Sequence, residues 1–102
     1  MKYILGADGQ TPIGVDLLTW AKWFETADQI IEQTQIDSNV TVSTVFIGID
    51  HRFGSDGPPL LFETMIFGGP EDQYKDRYVS WSEAKAGHAR AVELAKNPGA
   101  QP

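Results

Sequence analysis

Two strongly apolar, strand-like runs carry polar residues of the kind that a buried site uses. Asp50 and His51 end the first run, and Glu63 lies in the middle of the second. A neighbouring carboxylate raises the pKa of a histidine and orients its ring, which suits a general base or a hydrogen-bond donor to phosphate. A carboxylate within an apolar strand is costly unless it is paired, so Glu63 requires a partner. The sequence therefore predicts a polar site on these two strands.

Each of these residues also has a structural explanation. Asp50 could cap the following turn and leave His51 on the surface, and Glu63 could form a structural ion pair instead of contacting a ligand. The basic residues that could pair with Glu63 are Arg77, Arg52 and Lys22. The sequence leaves both explanations open.

A metal site could be assembled from Asp50, His51, Glu63 and His88, whose side chains are acceptable ligand types. Their spacing matches no metal-binding motif such as H-E-x-x-H, however. The chain has no cysteine and no G-x-S-x-G elbow, and no serine or threonine is placed beside a base. We therefore assign no catalytic residue and expect neither a cofactor nor a bound metal ion.

The segment 74–82 is the best candidate for ligand binding. It interleaves two cations with three aromatic residues and leads into a predicted helix N-terminus, where free N–H groups and the helix dipole favour phosphate. Aromatic rings can also stack on nucleobases. The predicted ligand-binding residues are His51, Arg52, Glu63, Tyr74, Arg77, Tyr78, Ser80, Trp81 and Ser82. The alternative is an ordinary capped helix on which Tyr78 and Trp81 pack as a hydrophobic staple.

Length and charge limit the classes of function. The chain has 102 residues, no cysteine and a net charge of -6. Affinity for nucleic-acid backbones comes largely from Lys and Arg, so we expect no nucleic-acid partner. The apolar runs are too short for a signal peptide or a membrane span, and we expect a cytoplasmic protein without a membrane partner. Residues 1–50 carry two basic and seven acidic side chains, which could face a basic protein partner or simply favour solubility.

The order of elements predicts an α+β domain, in which two helices cover one face of a small antiparallel sheet in the order ββ-α-βββ-α. Apolar residues on both faces make the fourth strand the central one. We expect residues 1–97 to form a single domain and residues 98–102 to fray. The predicted strands are 2–5, 11–15, 29–36, 40–50 and 60–67, and the helices are 16–28 and 81–96.

The two helices carry their own signals. Asp16 can cap the first helix, whose apolar stripe comprises Leu17, Trp20, Ala21, Phe24 and Ala27, while Leu18 and Trp23 lie off the stripe. Ser80 and Glu83 match a capping box at the start of the second. A sheet covered on one face leaves the other free, and the many aromatic residues could serve an interface there. We therefore expect a homo-oligomer.

Three motifs carry a resemblance to a known family. They are VSTVFIGIDH at 42–51, GPPLLFETMIFGG at 57–69 and RYVSWSEA at 77–84, the last followed by Gly87 and His88. The chain resembles a widespread family of small phage and prophage proteins, most strongly from Trp20 onward. That family has no established enzymatic activity. The resemblance implies an accessory protein that acts in the cytoplasm of an infected bacterium, often against host defence.

Three functional hypotheses follow from this setting. In the first, the protein sequesters a cyclic nucleotide immune signal between subunits, using segment 74–82. In the second, it inhibits a host protein through its acidic and aromatic surface. In the third, it cleaves nucleotides or acts as a metal-assisted hydrolase through Asp50, His51, Glu63 and His88.

Overall fold

A computed structural model describes residues 2–50 and 57–98 of the chain. Six strands and two helices form in this part of the chain, and the helix predicted over 81–96 has those bounds. In chain order the elements are β1 (Lys2–Leu5), β2 (Pro12–Val15), α1 (Leu17–Thr26), β3 (Ile30–Asp37), β4 (Val40–Phe46), β5 (Phe62–Phe67), β6 (Lys75–Tyr78) and α2 (Trp81–Lys96).

The strands form a β1–β2 hairpin and a four-stranded antiparallel sheet in the order β3-β4-β5-β6. The predicted α+β class is therefore confirmed, and β4 lies inside the sheet as expected. The structure adds the short strand β6, which lies in the segment that the sequence assigns to ligand binding. It pairs with β5, so Glu63 lies opposite Arg77 and Phe62 lies opposite Tyr78.

Alternation along the central strands separates two faces of the sheet. Val42, Thr44 and Phe46 are buried on one face of β4, which we call the helix face. Their partners on β5 are Ile66, Thr64 and Phe62, which are fully buried as well. The residues in between, including Val45, Glu63 and Met65, point to the opposite face, which we call the open face.

Helix α2 lies on the helix face because its small residues permit a close approach. Ala84, Gly87, His88 and Ala91 are its buried residues. Ala84 and Ala91 complete two hydrophobic clusters. One contains Phe46, Leu61, Phe62 and Tyr78, and the other contains Val40, Val42 and Ile66.

Helix α1 begins as predicted, because the Asp16 carboxylate accepts a hydrogen bond from the Thr19 N–H at 2.8 Å. Four of the five predicted stripe residues, Trp20, Ala21, Phe24 and Ala27, are partly buried. Trp23 joins them and packs edge-on against Phe46 with ring centroids 5.7 Å apart, whereas Leu17 is 64% exposed. The prediction that Leu17 belongs to the inward stripe is therefore wrong, and the stripe is wider at Trp23 than predicted.

Strand β4 ends four residues earlier than predicted. Gly48 has a φ of 69°, a conformation that ends regular pairing and that favours glycine. A β-carbon at Gly48 would lie 2.6 Å from the Phe24 ring. The backbone just after the end of β4 thus lies in close contact with Phe24 of α1. Ile49 then forms an isolated bridge to Lys2.

Strand β3 lies at the edge of the sheet and contains two register shifts, between Ile30 and Glu32 and between Gln35 and Asp37. The first shift lets Ile31 pack against the core cluster while Ile30 stays 49% exposed. It also brings Glu32 opposite Thr44, on the helix face. A bulge therefore places a carboxylate beside the buried side of the sheet.

Within the described part of the chain, neither helix packs against the open face. Val45 and Met65 are partly exposed on it, and Phe67 is 46% exposed. A homo-oligomer built on this face stays a prediction.

Candidate functional site

The predicted ligand-binding segment is divided between the two faces of the sheet. Strand β6 places Arg77 on the open face, opposite Glu63, and places Tyr78 on the helix face, opposite Phe62. Because neighbouring residues of a strand point in opposite directions, Arg77 and Tyr78 cannot contact the same small molecule from one side. Two of the residues predicted to bind one ligand are therefore kept apart by the sheet.

The predicted pairing of Glu63 is confirmed. Arg77 Nε donates to Glu63 Oε2 at 2.8 Å, and the Arg77 and Glu63 side chains are 32% and 13% exposed. This ion pair explains how a carboxylate is tolerated in an apolar strand. It also partly neutralises Arg77, one of the two cations that the segment would offer to phosphate.

The N-terminus of α2 is satisfied by its own side chains. The Ser80 hydroxyl accepts from the Glu83 N–H at 3.2 Å, and the Glu83 carboxylate accepts from the Val79 N–H at 3.1 Å. Ser82 Oγ lies 3.3 Å from Ser80 Oγ. The predicted capping box is present, with Glu83 reaching one residue further back than usual. Its negative charge lies at the position where a phosphate would be attracted.

The aromatic residues of the segment pack into the core. Tyr74 packs against the second cluster and Trp81 against the first, and both are partly buried. Tyr78 is 5% exposed. Burial raises the pKa of both tyrosines above their usual range. Tyr78 and Trp81 thus pack into the core, as in the alternative explanation of an ordinary capped helix. His51 and Arg52 lie outside the described residues.

A layer of polar side chains lies beneath α2, and the sequence predicted only its histidine. His88 is 1% exposed, so it is a buried residue of the core. Its Nδ1 lies 2.7 Å from the Thr44 hydroxyl, and its Nε2 lies 2.8 Å from the Thr34 hydroxyl. The Thr44 and Thr64 hydroxyls are 2.5 Å apart. We call Thr34, Thr44, Thr64 and His88 the polar layer.

Charged groups border this layer on the β3 side. Glu32 Oε2 lies 3.8 Å from His88 Nε2, and Glu32 Oε1 accepts from the Lys85 ammonium at 2.7 Å. The hydrogen bond from Lys85 holds the pKa of Glu32 below its usual value. Burial lowers the pKa of His88, and Glu32 opposes part of that shift. The imidazole is therefore neutral at physiological pH and hidden from solvent.

The polar layer could have been recognised from two threonines. Thr44 and Thr64 occupy positions on β4 and β5 at which every neighbour on the same face is apolar. Buried hydroxyls need hydrogen-bond partners, so two such residues predict a polar partner from another element. The register that sets them opposite each other cannot be read from local sequence.

The proposed metal cluster is not formed by the residues that can be located. Glu63 is on the open face and His88 is on the helix face, so the sheet separates them. Among residues 2–50 and 57–98, no group of three or more acidic, histidine or cysteine side chains could hold a metal ion. His51 lies outside this part of the chain.

Exposed aliphatic residues lie on the hairpin and at the start of α1. Leu17 and Leu18 are 64% and 66% exposed, and Ile13 on β2 is 47% exposed. Two carboxylates lie in the same stretch of the chain, Asp8 in the turn between β1 and β2 and Asp16 directly before Leu17. Asp8 accepts hydrogen bonds from Gln10 and Thr11, and the Thr11 bonds lower the pKa of Asp8 to about 2. The Thr19 N–H lowers the pKa of Asp16 below its usual value. We call Asp8, Ile13, Asp16, Leu17 and Leu18 the hairpin–helix surface.

In comparisons with known proteins, no family model, curated protein or solved structure matches the chain. Across the described residues, no helix has the length and hydropathy required to cross a membrane.

Proposed function

We propose that the protein is a non-catalytic binding protein that contacts a basic partner protein through the hairpin–helix surface. The observation that carries this proposal is the exposure of Leu17 and Leu18 on the first turn of a well-capped helix. Trp23 and Phe24, from the same helix, pack against the core, so α1 does not need these leucines for packing. Their burial in a complex would contribute about 1.5–3 kcal/mol for each leucine.

Charge favours a basic partner over an acidic one. Asp8 and Asp16 are ionised throughout the physiological range, and their hydrogen bonds hold them in place. Lys2 is the basic residue of the hairpin, and its ammonium lies over the Trp20 ring, 5.4 Å from the ring centroid. Exposed leucines next to the fixed Asp16 carboxylate suit a partner that offers aliphatic side chains beside Lys or Arg.

The proposal retains the second functional hypothesis and changes its contacts. The exposed groups are acidic and aliphatic, because the α1 aromatic residues are turned inward. The resemblance to small phage proteins supports an infected bacterial cytoplasm as the setting, and a host defence protein as the kind of partner. Nucleotide sequestration stays a prediction. Arg77, the cation predicted to bind the ligand in segment 74–82, is paired with Glu63 and the helix N-terminus carries Glu83, which is why we rank this hypothesis second.

A peptide titration tests this proposal. The probe is a helical peptide of leucine and lysine, and the comparison is a peptide of the same pattern with glutamate for lysine. We expect the lysine peptide to bind and to shift the NMR signals of Ile13, Leu17 and Leu18. The variant L17S/L18S should weaken binding about tenfold or more, equivalent to about 1.4 kcal/mol.

Matched variants separate surface chemistry from general charge. The variant D8N/D16N removes two charges while asparagine can still accept the same N–H groups, so binding should weaken with the fold unchanged. The control I30S/F67S changes two similarly exposed residues on the open face and should bind normally. Equal losses in both aliphatic variants would contradict the site. A thermal shift with cyclic dinucleotides or cyclic ADP-ribose isomers, and none with the peptide, would favour the nucleotide hypothesis.

A further inference from the structure

The polar layer joins three strands and one helix through hydroxyl and imidazole groups alone. Thr44 and Thr64 are fully buried and His88 is 1% exposed. The chain of contacts runs from Thr34 through His88 and Thr44 to Thr64, with every separation at or below 2.8 Å. Because each hydroxyl can donate once and still accept, the direction of such a chain is set by the proton on the imidazole.

The neutral imidazole has one donor and one acceptor. Glu32 Oε2 lies 3.8 Å from Nε2, and a nearby carboxylate favours the tautomer with its proton on that nitrogen. Nδ1 then accepts from the Thr44 hydroxyl. Thr44 in turn accepts from Thr64, so the hydroxyl protons of Thr44 and Thr64 point towards His88, while the Thr34 hydroxyl accepts from the Nε2 proton.

Protonation of the ring removes this acceptor. Nδ1 becomes a donor, and the Thr44 hydroxyl must turn and donate to Thr64. The Thr64 hydroxyl then needs an acceptor of its own. Tyr78 supplies a candidate, since its hydroxyl is buried and has no hydrogen-bond partner within the part of the chain that is described. Thr64 lies near enough to counteract part of the burial effect on the pKa of Tyr78.

We propose that the polar layer is a proton-operated switch, in which uptake of one solvent proton by His88 reverses the hydroxyl chain through Thr44 and Thr64 and engages the idle hydroxyl of Tyr78. The same proton lets Glu32 turn from Lys85 towards the imidazolium. The protein thereby gains a second internal hydrogen-bond arrangement at acidic pH, with α2 as the element that carries the proton.

The surrounding charges support a switch that acts below the ordinary histidine range. On β3 the facing group is Glu32, which stabilises the imidazolium, and on α2 it is Lys85, which opposes it. On β6, Asp76 is opposite Thr64. Asp76 raises the pKa values of Tyr74 and Tyr78, and Arg90 on α2 lowers them. On β4 and β5 the facing groups are the uncharged threonines. Burial, the largest effect on the pKa of His88, opposes protonation, and Glu32 offsets part of it.

Nitrogen-15 NMR of the His88 ring tests the switch in the full chain, using His51→Gln so that one imidazole remains. At neutral pH we expect the proton on Nε2, and we expect a titration midpoint below that of an unfolded control. The Glu32→Gln variant removes a nearby negative charge. It should therefore lower the titration midpoint of His88 further, by about half a pH unit or more.

Two tyrosine variants separate the switch from a purely structural layer. Tyr78→Phe removes the proposed final acceptor and should lower the titration midpoint of His88. Tyr74→Phe removes the hydroxyl of a partly buried tyrosine that is not part of the hydrogen-bond chain, and it should leave the midpoint unchanged. A proton on Nδ1 at neutral pH would overturn the proposed direction. Equal midpoints in the two tyrosine variants would remove Tyr78 from the switch.

Discussion

Gly87 on α2 lies directly against the ring of Tyr78 on β6. A β-carbon on Gly87 would be 2.2 Å from both Cζ and the hydroxyl oxygen of Tyr78, far inside van der Waals contact. The glycine is therefore a condition for placing α2 on the sheet, and with it His88 above the threonines.

The substitution Gly87→Ala should destabilise the protein by about 1–3 kcal/mol or more, because the new methyl group overlaps Tyr78. In a solvent-exposed part of a helix, the same change would stabilise by about 1 kcal/mol. Chemical denaturation gives the sign. Ala89→Gly, on the exposed side of α2, measures the intrinsic cost of glycine there, and a more stable Gly87→Ala variant would contradict the contact.

Replacement of Glu63 should have a modest effect, because its partner Arg77 is one-third exposed and screened by solvent. We expect Glu63→Ala to cost about 0.5–1.5 kcal/mol, with a smaller loss for Glu63→Gln, which can still accept from Arg77 Nε. A double-mutant cycle with Arg77→Met measures the coupling. Zero coupling at low salt would show that the pair does not form in solution.

Acid should weaken the fold through His88. Burial holds its pKa below the ordinary 6.5, so the unfolded chain binds the proton more tightly and acid favours unfolding. The loss begins near pH 6.5 and is complete below the folded-state pKa. Carboxylates with lowered pKa values, such as Glu32, add losses only below about pH 4.5.

Denaturation midpoints between about pH 7.5 and about pH 5 measure this effect apart from the carboxylates. The variant His88→Gln should show a flatter dependence over the same interval. His51→Gln is the control for the other imidazole and should keep the slope. A parent protein that is equally stable at both ends would show that His88 titrates normally.

The exposed leucines should contribute little to stability. Leu17→Ser and Leu18→Ser are each expected to change the free energy of unfolding by less than about 0.5 kcal/mol. Trp23→Ala should cost about 3–5 kcal/mol because it leaves a cavity beside Phe46. Thermal melts compare the three variants, and a large loss for Leu17→Ser would restore the predicted stripe.

Much of the fold follows from local signals. Asp16 and Ser80 each mark a helix start, and the alternation of side chains along β5 puts Thr64 and Glu63 on opposite faces. A carboxylate in an apolar strand needs a partner, so a cation beside Glu63 was one of two explanations from sequence, but Arg77 was not distinguished from Arg52 and Lys22. These features depend on residues that are close in sequence or on one strong electrostatic requirement.

Other features depend on register between distant segments. Strand β6 is short and polar, with the sequence Lys75-Asp-Arg-Tyr78, and only its pairing with β5 makes it a strand. The contact of Thr34 with His88 joins residues 54 positions apart. The alternation of β6 then placed Arg77 and Tyr78 on different faces, which a list of suitable residue types cannot reveal.

The two bulges of β3 also govern how this sheet meets other chains. They interrupt the row of backbone donors and acceptors along the edge strand β3, whose regular pairing with β4 is confined to residues 32–35. Strand β6, at the other edge, has only four residues. An incoming extended chain therefore finds no long template on either side. Growth of the sheet into fibres is disfavoured at both ends, and association is directed to the surfaces formed by side chains.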